Sequence, residues 1–203
     1  MQRPISALLG TGDRLHLNHG PIDLIVGAEE AAPGDRFRAF EAASDRFQTI
    51  LDGLVQDLDR HRTQLSPGTP DPSNAVARRM YSAARPHCTS AFVTPMIAVA
   101  GAVADEVLAA ICSAVRPRRV YVNNGGDIAV HLAPGESYSV AMSGTEGTDL
   151  GTLRFGPDDG IRGIATSGTG GRSHSFGIAD SETVLAATAA AADVAYLEKA
   201  GFV

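Results

Sequence analysis

A pair of glycines stands between two β-branched runs in the middle of the chain, in Tyr121-Val-Asn-Asn-Gly-Gly-Asp-Ile-Ala-Val130. Asn-Gly between such runs is the strongest short-range hairpin signal. The spacing therefore predicts strands over Val120–Asn123 and Ile128–Leu132, folded back on each other. No strand–helix–strand unit surrounds the Gly-rich loop over residues 166–172, so it is not a dinucleotide fingerprint.

The rest of the chain supplies strands and helices in separate blocks. Arg14–Asn18 and Ile22–Val26 flank His19-Gly20-Pro21 and read as a hairpin. Phe37, Phe40, Phe47, Ile50, Leu51, Leu54 and Leu58 recur at helical spacing, which predicts one long helix over roughly 33–62. Pro33 suits its first turn. Ser66–Asn74 carries three prolines and breaks the pattern. We expect the most mobile part of the molecule there. Asn74 or Ser73 would cap a short helix through Ala83. Thr89–Thr94 reads as a strand, and Pro95 opens an apolar helix to about Ala114. Ser137–Met142, Thr152–Phe155 and Ile161–Ser167 read as further strands, the last two continuing an antiparallel meander. Thr183 to about Lys199 is Ala-rich and reads as a buried helix with Gly201 at its C-cap. The order predicts an α+β fold, with mixed or antiparallel sheets packed by buried Ala-rich helices. One domain over 1–203 is expected, with two intimate halves as the variant and the break near 66–74.

Composition narrows the function classes. The net charge of −6 argues against a nucleic-acid partner, which needs a basic face. No apolar run reads as a membrane span, and the N-terminus lacks a secretory pattern. A cytoplasmic protein is expected. Cys88 and Cys112 are not spaced as a metal or redox pair and read as buried free thiols. Lys199 is the single lysine among 17 basic residues, so Schiff-base chemistry is disfavoured. His16, His19, His87, His131 and His174 show no zinc spacing. No Gly-x-Ser-x-Gly elbow marks a hydrolase.

Three features carry possible chemistry. The turn Asn124-Gly125-Gly126-Asp127 offers bare N–H groups to an anion, and Asp127 a hard-cation ligand. The loop Thr166-Ser167-Gly168-Thr169-Gly-Gly-Arg172 adds hydroxyls and an arginine suited to phosphate. It is not a P-loop, because no Gly-Lys-Ser/Thr follows. Asp193 interrupts Ala189-Ala-Ala-Ala-Asp-Val-Ala195, and an acid on an apolar helix must be paired, capped or metal-bound. His174 follows the loop as a candidate contact or weak acid–base. The arginines 78, 79 and 85, and 116, 118 and 119, form local clusters. Such clusters are commonly solvated, and around a pocket they attract anions. Against these readings stands a plain tight turn for residues 124–127 and a salt bridge or solvent-facing place for Asp193.

The order of Asp105 on an apolar helix, Asn124-Gly-Gly-Asp-Ile128, Ala165-Thr-Ser-Gly168 and an Ala-Asp helix at Asp193 resembles the ApbE superfamily, the FAD:protein FMN transferases. Leu15-His-Leu-Asn-His-Gly-Pro-Ile-Asp-Leu24 and Gly171-Arg-Ser-His-Ser-Phe-Gly-Ile-Ala-Asp180 resemble a shorter bacterial and archaeal branch of it. The resemblance implies an ApbE-like fold and a pocket for FAD or FMN with Mg2+ at a pyrophosphate. In that reaction a Ser or Thr of a target protein attacks, FMN is transferred and AMP leaves. It implies Asp193 and Asp127 as metal ligands, with His174 and Asp180 the loose counterparts of a family catalytic motif. Leu197 stands where the family places a metal-binding Thr, and Ala98–Gly101 lacks the family's Lys. Three classes remain at this point: a flavin-nucleotide transferase, a non-catalytic binder of a phosphorylated ligand, and a structural protein that kept the fold. A homo-oligomer is compatible with each.

Overall fold

The hairpin at the glycine pair forms the centre of a seven-stranded sheet. In the computed structural model, which describes residues 3–143, 149–167 and 182–199, β4 (Arg119–Asn124) turns directly into β5 (Asp127–Leu132). Asn124 pairs with Asp127, leaving Gly125 and Gly126 as the two-residue loop. Both have positive φ, 67° and 117°. The primed turns that match strand twist require such angles, and a side chain would be strained there.

Around this hairpin the sheet runs β1-β2-β3-β4-β5-β8-β9, with every neighbouring pair antiparallel. β1 is Ile5–Leu9, β2 Arg14–His19, β3 Ile22–Glu29, β8 Gly163–Ser167 and β9 Glu182–Ala186. The expected meander is interrupted: β6 (Tyr138–Ser143) and β7 (Asp149–Phe155) form a separate ribbon, and β8 returns to pair with β5. The architecture is α+β, as expected.

Side-chain alternation gives the sheet two apolar faces. Leu17, Leu24, Val26, Val120, Val122 and Ala129 join one buried cluster with the helices. Val130, Leu132 and Ile164 point the other way and meet Phe155 of the ribbon. The result is three layers: helices, sheet, ribbon.

The long helix expected over 33–62 is three: α1 (Asp35–Phe47), α2 (Ile50–Val55) and α3 (Leu58–His61). Phe40, Phe47, Ile50 and Leu54 are nonetheless buried, so that part of the apolar stripe survives the breaks, whereas Phe37, expected on it, is 71% exposed. α4 (Ala75–Ala84) starts where expected, with the Asn74 side chain accepting from Ala77 N–H at 3.0 Å. The proline-rich segment before it is pinned. Arg85 donates to the carbonyls of Pro67 and Thr69, and Arg60 to that of Pro70. Thr89–Thr94 is turn rather than strand, since Ser90 and Ala91 N–H both bond back to the His87 carbonyl. The Ala-rich C-terminal segment divides into strand β9 and helix α6 (Ala189–Lys199). Gly201 lies outside the described residues.

α5 (Val99–Ala114) is the central helix, entered through a 3-10 turn at Pro95–Ala98. Contrary to the sequence expectation, Pro95–Ala114 is long and apolar enough to cross a membrane by length and composition, with a mean hydropathy of 1.8. Here it packs against α1, α4, α6 and the sheet. Glu106 on its outer side accepts from Arg46 at 3.0 Å and from Arg79 at 2.9 Å, tying α1 and α4 to it. Burial pushes Glu106 up, but the bonds from Arg79 and Arg46 outweigh it and hold it below the usual range.

His61 is fully buried, and neither ring nitrogen has a hydrogen-bond partner among the described residues. Its ring meets Tyr81 edge-on at 5.8 Å. Burial lowers its pKa, so the folded protein keeps it neutral. The unfolded chain protonates near pH 6.5, so this contribution to stability is present above that value and lost below it. His61→Phe removes the orphaned nitrogens. We expect it to gain about 1 kcal/mol at pH 5.5 and to flatten the melting-temperature profile between about pH 5 and 7, read by thermal melts.

Candidate functional site

α5 and α6 cap each other. Asp105 of α5 accepts from the N–H groups of Ala189 and Ala190, at 3.0 and 2.9 Å. Asp193 of α6 accepts from Gly101 N–H at 3.0 Å, with a further bond from Ala100 N–H. Each carboxylate thus satisfies the open donors at the other helix's N-terminus and sits at its positive end. The packing is close. A Cβ on Gly101 would lie 2.3 Å from the Ala189 carbonyl oxygen, and one on Gly163 would lie 2.1 Å from the Thr188 carbonyl carbon. The Thr188–Ala189 peptide is therefore packed against β8 and the next one, Ala189–Ala190, against α5, which fixes where Asp193 stands.

The central hairpin delivers its polar residues to the same place. Reading across the sheet, Leu24, Asn124, Asp127, Ala165 and Val184 form one row on the helix side. Asn124 and Asp127 interrupt an otherwise apolar row because they end their strands at the turn. Asn124 Nδ2 donates to the Ala100 carbonyl at 3.0 Å. Asp127 lies close enough to Asp193 for its charge to act on it. Its own carboxylate accepts no hydrogen bond among the described residues.

These two carboxylates are costly as they stand. Burial raises Asp127 to about 6. Burial, and then the charge of Asp127, raise Asp193 well above the ordinary value, against the lowering effect of the α5 amides. Among the described residues, no arginine or lysine is among the charges acting on either. Two like charges held together without a counter-cation are what a hard divalent ion neutralises. Among the described residues no three His, Cys, Asp or Glu side chains gather as a ligand set. The donor set is thus two carboxylates, which suits an ion that keeps water or phosphate oxygens in its remaining positions, as Mg2+ does.

The second predicted loop is only partly described. Thr166 N–H donates to the Gly126 carbonyl at 3.3 Å, so the strand end and the glycine turn do meet. The Thr166 hydroxyl, however, lies 3.2 Å from that of Thr183. Alternation from Ala165, which pairs with Asp127, puts it on the opposite face. Ser167 ends β8 opposite Glu182. Gly168, Thr169, Arg172, His174 and Asp180 lie outside the described residues. The structure therefore brings together Asn124, the glycine turn, Asp127 and Asp193, and turns the Thr166 hydroxyl away. Sequence reasoning did not anticipate Asp105 as the cap of α6, since a cap from another helix leaves no local pattern.

Two clefts of about 560 Å3 open elsewhere, one beside α4 and the start of α6, the other across the ends of β2, β3 and β4. Asp127 and Asp193 line neither.

A family model described as "AbpE bacteria" matches residues 6–196. The chain belongs to this family. Curated relatives of this AbpE bacteria member carry the name UPF0280 protein. That of Methanosphaerula palustris is 35% identical over 148 residues, covering 68% of this chain and 60% of the relative. That of Methanothrix thermoacetophila is 41% identical over 109 residues, 53% of this chain and 45% of the relative. That of Methanothermobacter thermautotrophicus is 36% identical over 133 residues, 64% and 49%. The match to this AbpE bacteria chain thus spans between 45% and 60% of these relatives' length. That name states no activity.

Proposed function

We propose that the protein binds a pyrophosphate-bearing nucleotide of the flavin type, FAD or FMN, together with a divalent cation held by Asp127 and Asp193. The observation that carries this reading is the pair of carboxylates itself: the charge of Asp127 acts on Asp193, burial raises both, and no cationic side chain among the described residues acts on them. A fold keeps such a pair at a cost in stability. A bound cation supplies the missing positive charge for both the carboxylates and a pyrophosphate.

The surrounding residues have roles that follow from their bonds. The Gly101 and Ala100 N–H groups bond the Asp193 carboxylate and so orient it. Asn124, tied to the Ala100 carbonyl, fixes the hairpin against α5. Gly125 and Gly126 carry no side chain at the turn, so a phosphate can approach the backbone closely. The flavin itself rests on the resemblance to the ApbE superfamily.

The finer reading is transfer. A Ser or Thr hydroxyl oxygen of a target protein would bond to the FMN phosphorus, the bridging P–O bond would break, and AMP would leave with its electron pair. Leu197 in place of a Thr ligand, and the two-carboxylate donor set, favour binding over transfer as the better-supported part. Incubation with FAD and Mg2+ separates the two. AMP release that Asp193→Ala reduces by about 100-fold or more supports transfer or pyrophosphate cleavage. Mg2+-dependent stabilisation by FAD without AMP supports a binder. Neither AMP nor any nucleotide-dependent rise in melting temperature rejects the proposal.

A further inference from the structure

The cleft across β2, β3 and β4 lies on the ribbon side of the sheet, away from Asp127 and Asp193. Its floor is set by one pairing: Gly27 stands opposite Tyr121 in the β3–β4 register. A Cβ at position 27 would lie 2.3 Å from Tyr121 Cε1, so the tyrosine ring lies down over the glycine backbone. Tyr138, at the start of the ribbon, forms the wall, with the Arg119 guanidinium 5.9 Å from its ring centroid. Arg119 is fixed there by Glu29 and by the Ser137 carbonyl.

Several polar groups converge on this space without a partner. Neither the Tyr121 nor the Tyr138 hydroxyl makes a hydrogen bond among the described residues. Arg119 Nε is buried and lacks a hydrogen bond there, with Glu136 3.8 Å away. The Arg14 side chain forms no ion pair or hydrogen bond among the described residues. Arg36 spends its Nε on the Ala28 carbonyl at 3.0 Å and has no carboxylate partner among those residues. Of the acids on the rim, Glu29 is neutralised by Arg119 and Glu30 accepts from the Arg36 backbone N–H at 3.3 Å, while Asp13 stands beside Arg14 in the chain. The result is an aromatic floor and wall, two guanidinium groups with no ion pair among the described residues, and two phenol groups without a hydrogen bond there, around about 560 Å3. That volume is within the range of small-molecule sites.

We propose that this cleft is a second ligand site, one for a planar aromatic anion. The ring lies on Tyr121 beside Tyr138, and a carboxylate or phosphate faces Arg14 and Arg36. Aromatic faces attract flat rings, and guanidinium groups bind oxyanions through charge-assisted bonds. A bare anion would lose the ring contact, and a neutral ring would leave the two guanidinium groups without an oxyanion to bond.

The site is independent of the carboxylate pair, so the two can fail separately. The test is isothermal titration of the full chain with phenyl phosphate, inorganic phosphate and phenol. We expect saturable binding of phenyl phosphate, about tenfold or more tighter than of the other two. Arg14→Ala and Arg36→Ala should each weaken it by about tenfold. Tyr138→Phe should weaken it several-fold without lowering the melting temperature, and Asp127→Asn should leave it unchanged. No saturable binding of phenyl phosphate at millimolar concentration overturns the proposal. So does equal affinity for inorganic phosphate, or full affinity in both arginine variants.

Discussion

Gly163→Ala should cost the protein about 3 kcal/mol of stability, a large effect for one methyl group. The added carbon would lie 2.1 Å from the Thr188 carbonyl carbon and 2.3 Å from Ala189 N. Those atoms are backbone and cannot rotate away. The next peptide, Ala189–Ala190, is blocked by α5, where a Cβ on Gly101 would meet the Ala189 carbonyl at 2.3 to 2.4 Å. The start of α6 must therefore shift, and with it the caps at Asp105 and Asp193. Urea denaturation measures the loss, and the same variant should bind a divalent cation poorly because Asp193 moves with its helix. Gly68→Ala is the control: it has open space around its Cβ position and no positive φ, so it should stay within about 0.5 kcal/mol of the parent. A Gly163→Ala protein as stable as the parent would mean that α6 does not dock as described.

Asp127→Asn should do the reverse and stabilise the metal-free protein at neutral pH. Burial raises the Asp127 carboxyl to about 6 from an ordinary 3.8. The folded state therefore holds its proton more tightly than the unfolded chain. The contribution to stability is full below pH 3.8 and is lost as pH rises through about 6. Above that, the ionised group is a standing cost. Asn cannot ionise, so the variant should gain about 2 kcal/mol at pH 7.5. The decline of stability between about pH 4 and 6 should become shallower. Any stabilisation by Mg2+ should vanish with the charge. Thermal melts across this range, with and without Mg2+, read both effects. A variant less stable than the parent at pH 7.5 would show that Asp127 has a cationic partner in the native protein.

How far the sequence leads depends on whether the determining contacts are local. The glycine hairpin, the Asn74 cap and the helix from Pro95 were all legible, because turn angles, side-chain caps and apolar stripes are local properties. The break between Phe47 and Ile50 was not, since two residues of turn preserve the three-residue apolar spacing. β9 was read as helix because its window is rich in alanine. It is a strand because Val184 and Ala186 pair with Ala165 and Gly163, a contact that overrides propensity. β1 was missed for a similar reason: Ile5–Leu9 is a strand only against β2.

The candidate site divides in the same way. Asp193 stood out as a lone charge in an alanine helix, and Asp127 as the acid beside the turn. Their meeting across α5 and the sheet, and the cap that Asp105 returns to α6, come from tertiary packing. The Thr166 hydroxyl was expected beside them, yet one step of strand alternation carries it to the other face.

The most direct test of the carboxylate pair as a cation-dependent nucleotide site is calorimetric titration of the full chain with FAD at pH 7.5 and 5.5, with and without Mg2+. The account predicts binding that requires Mg2+, weakens at the lower pH as Asp127 and Asp193 take up protons, and disappears in Asp127→Asn. Binding of FAD with equal affinity in the absence of Mg2+, or unaltered in that variant, would contradict it.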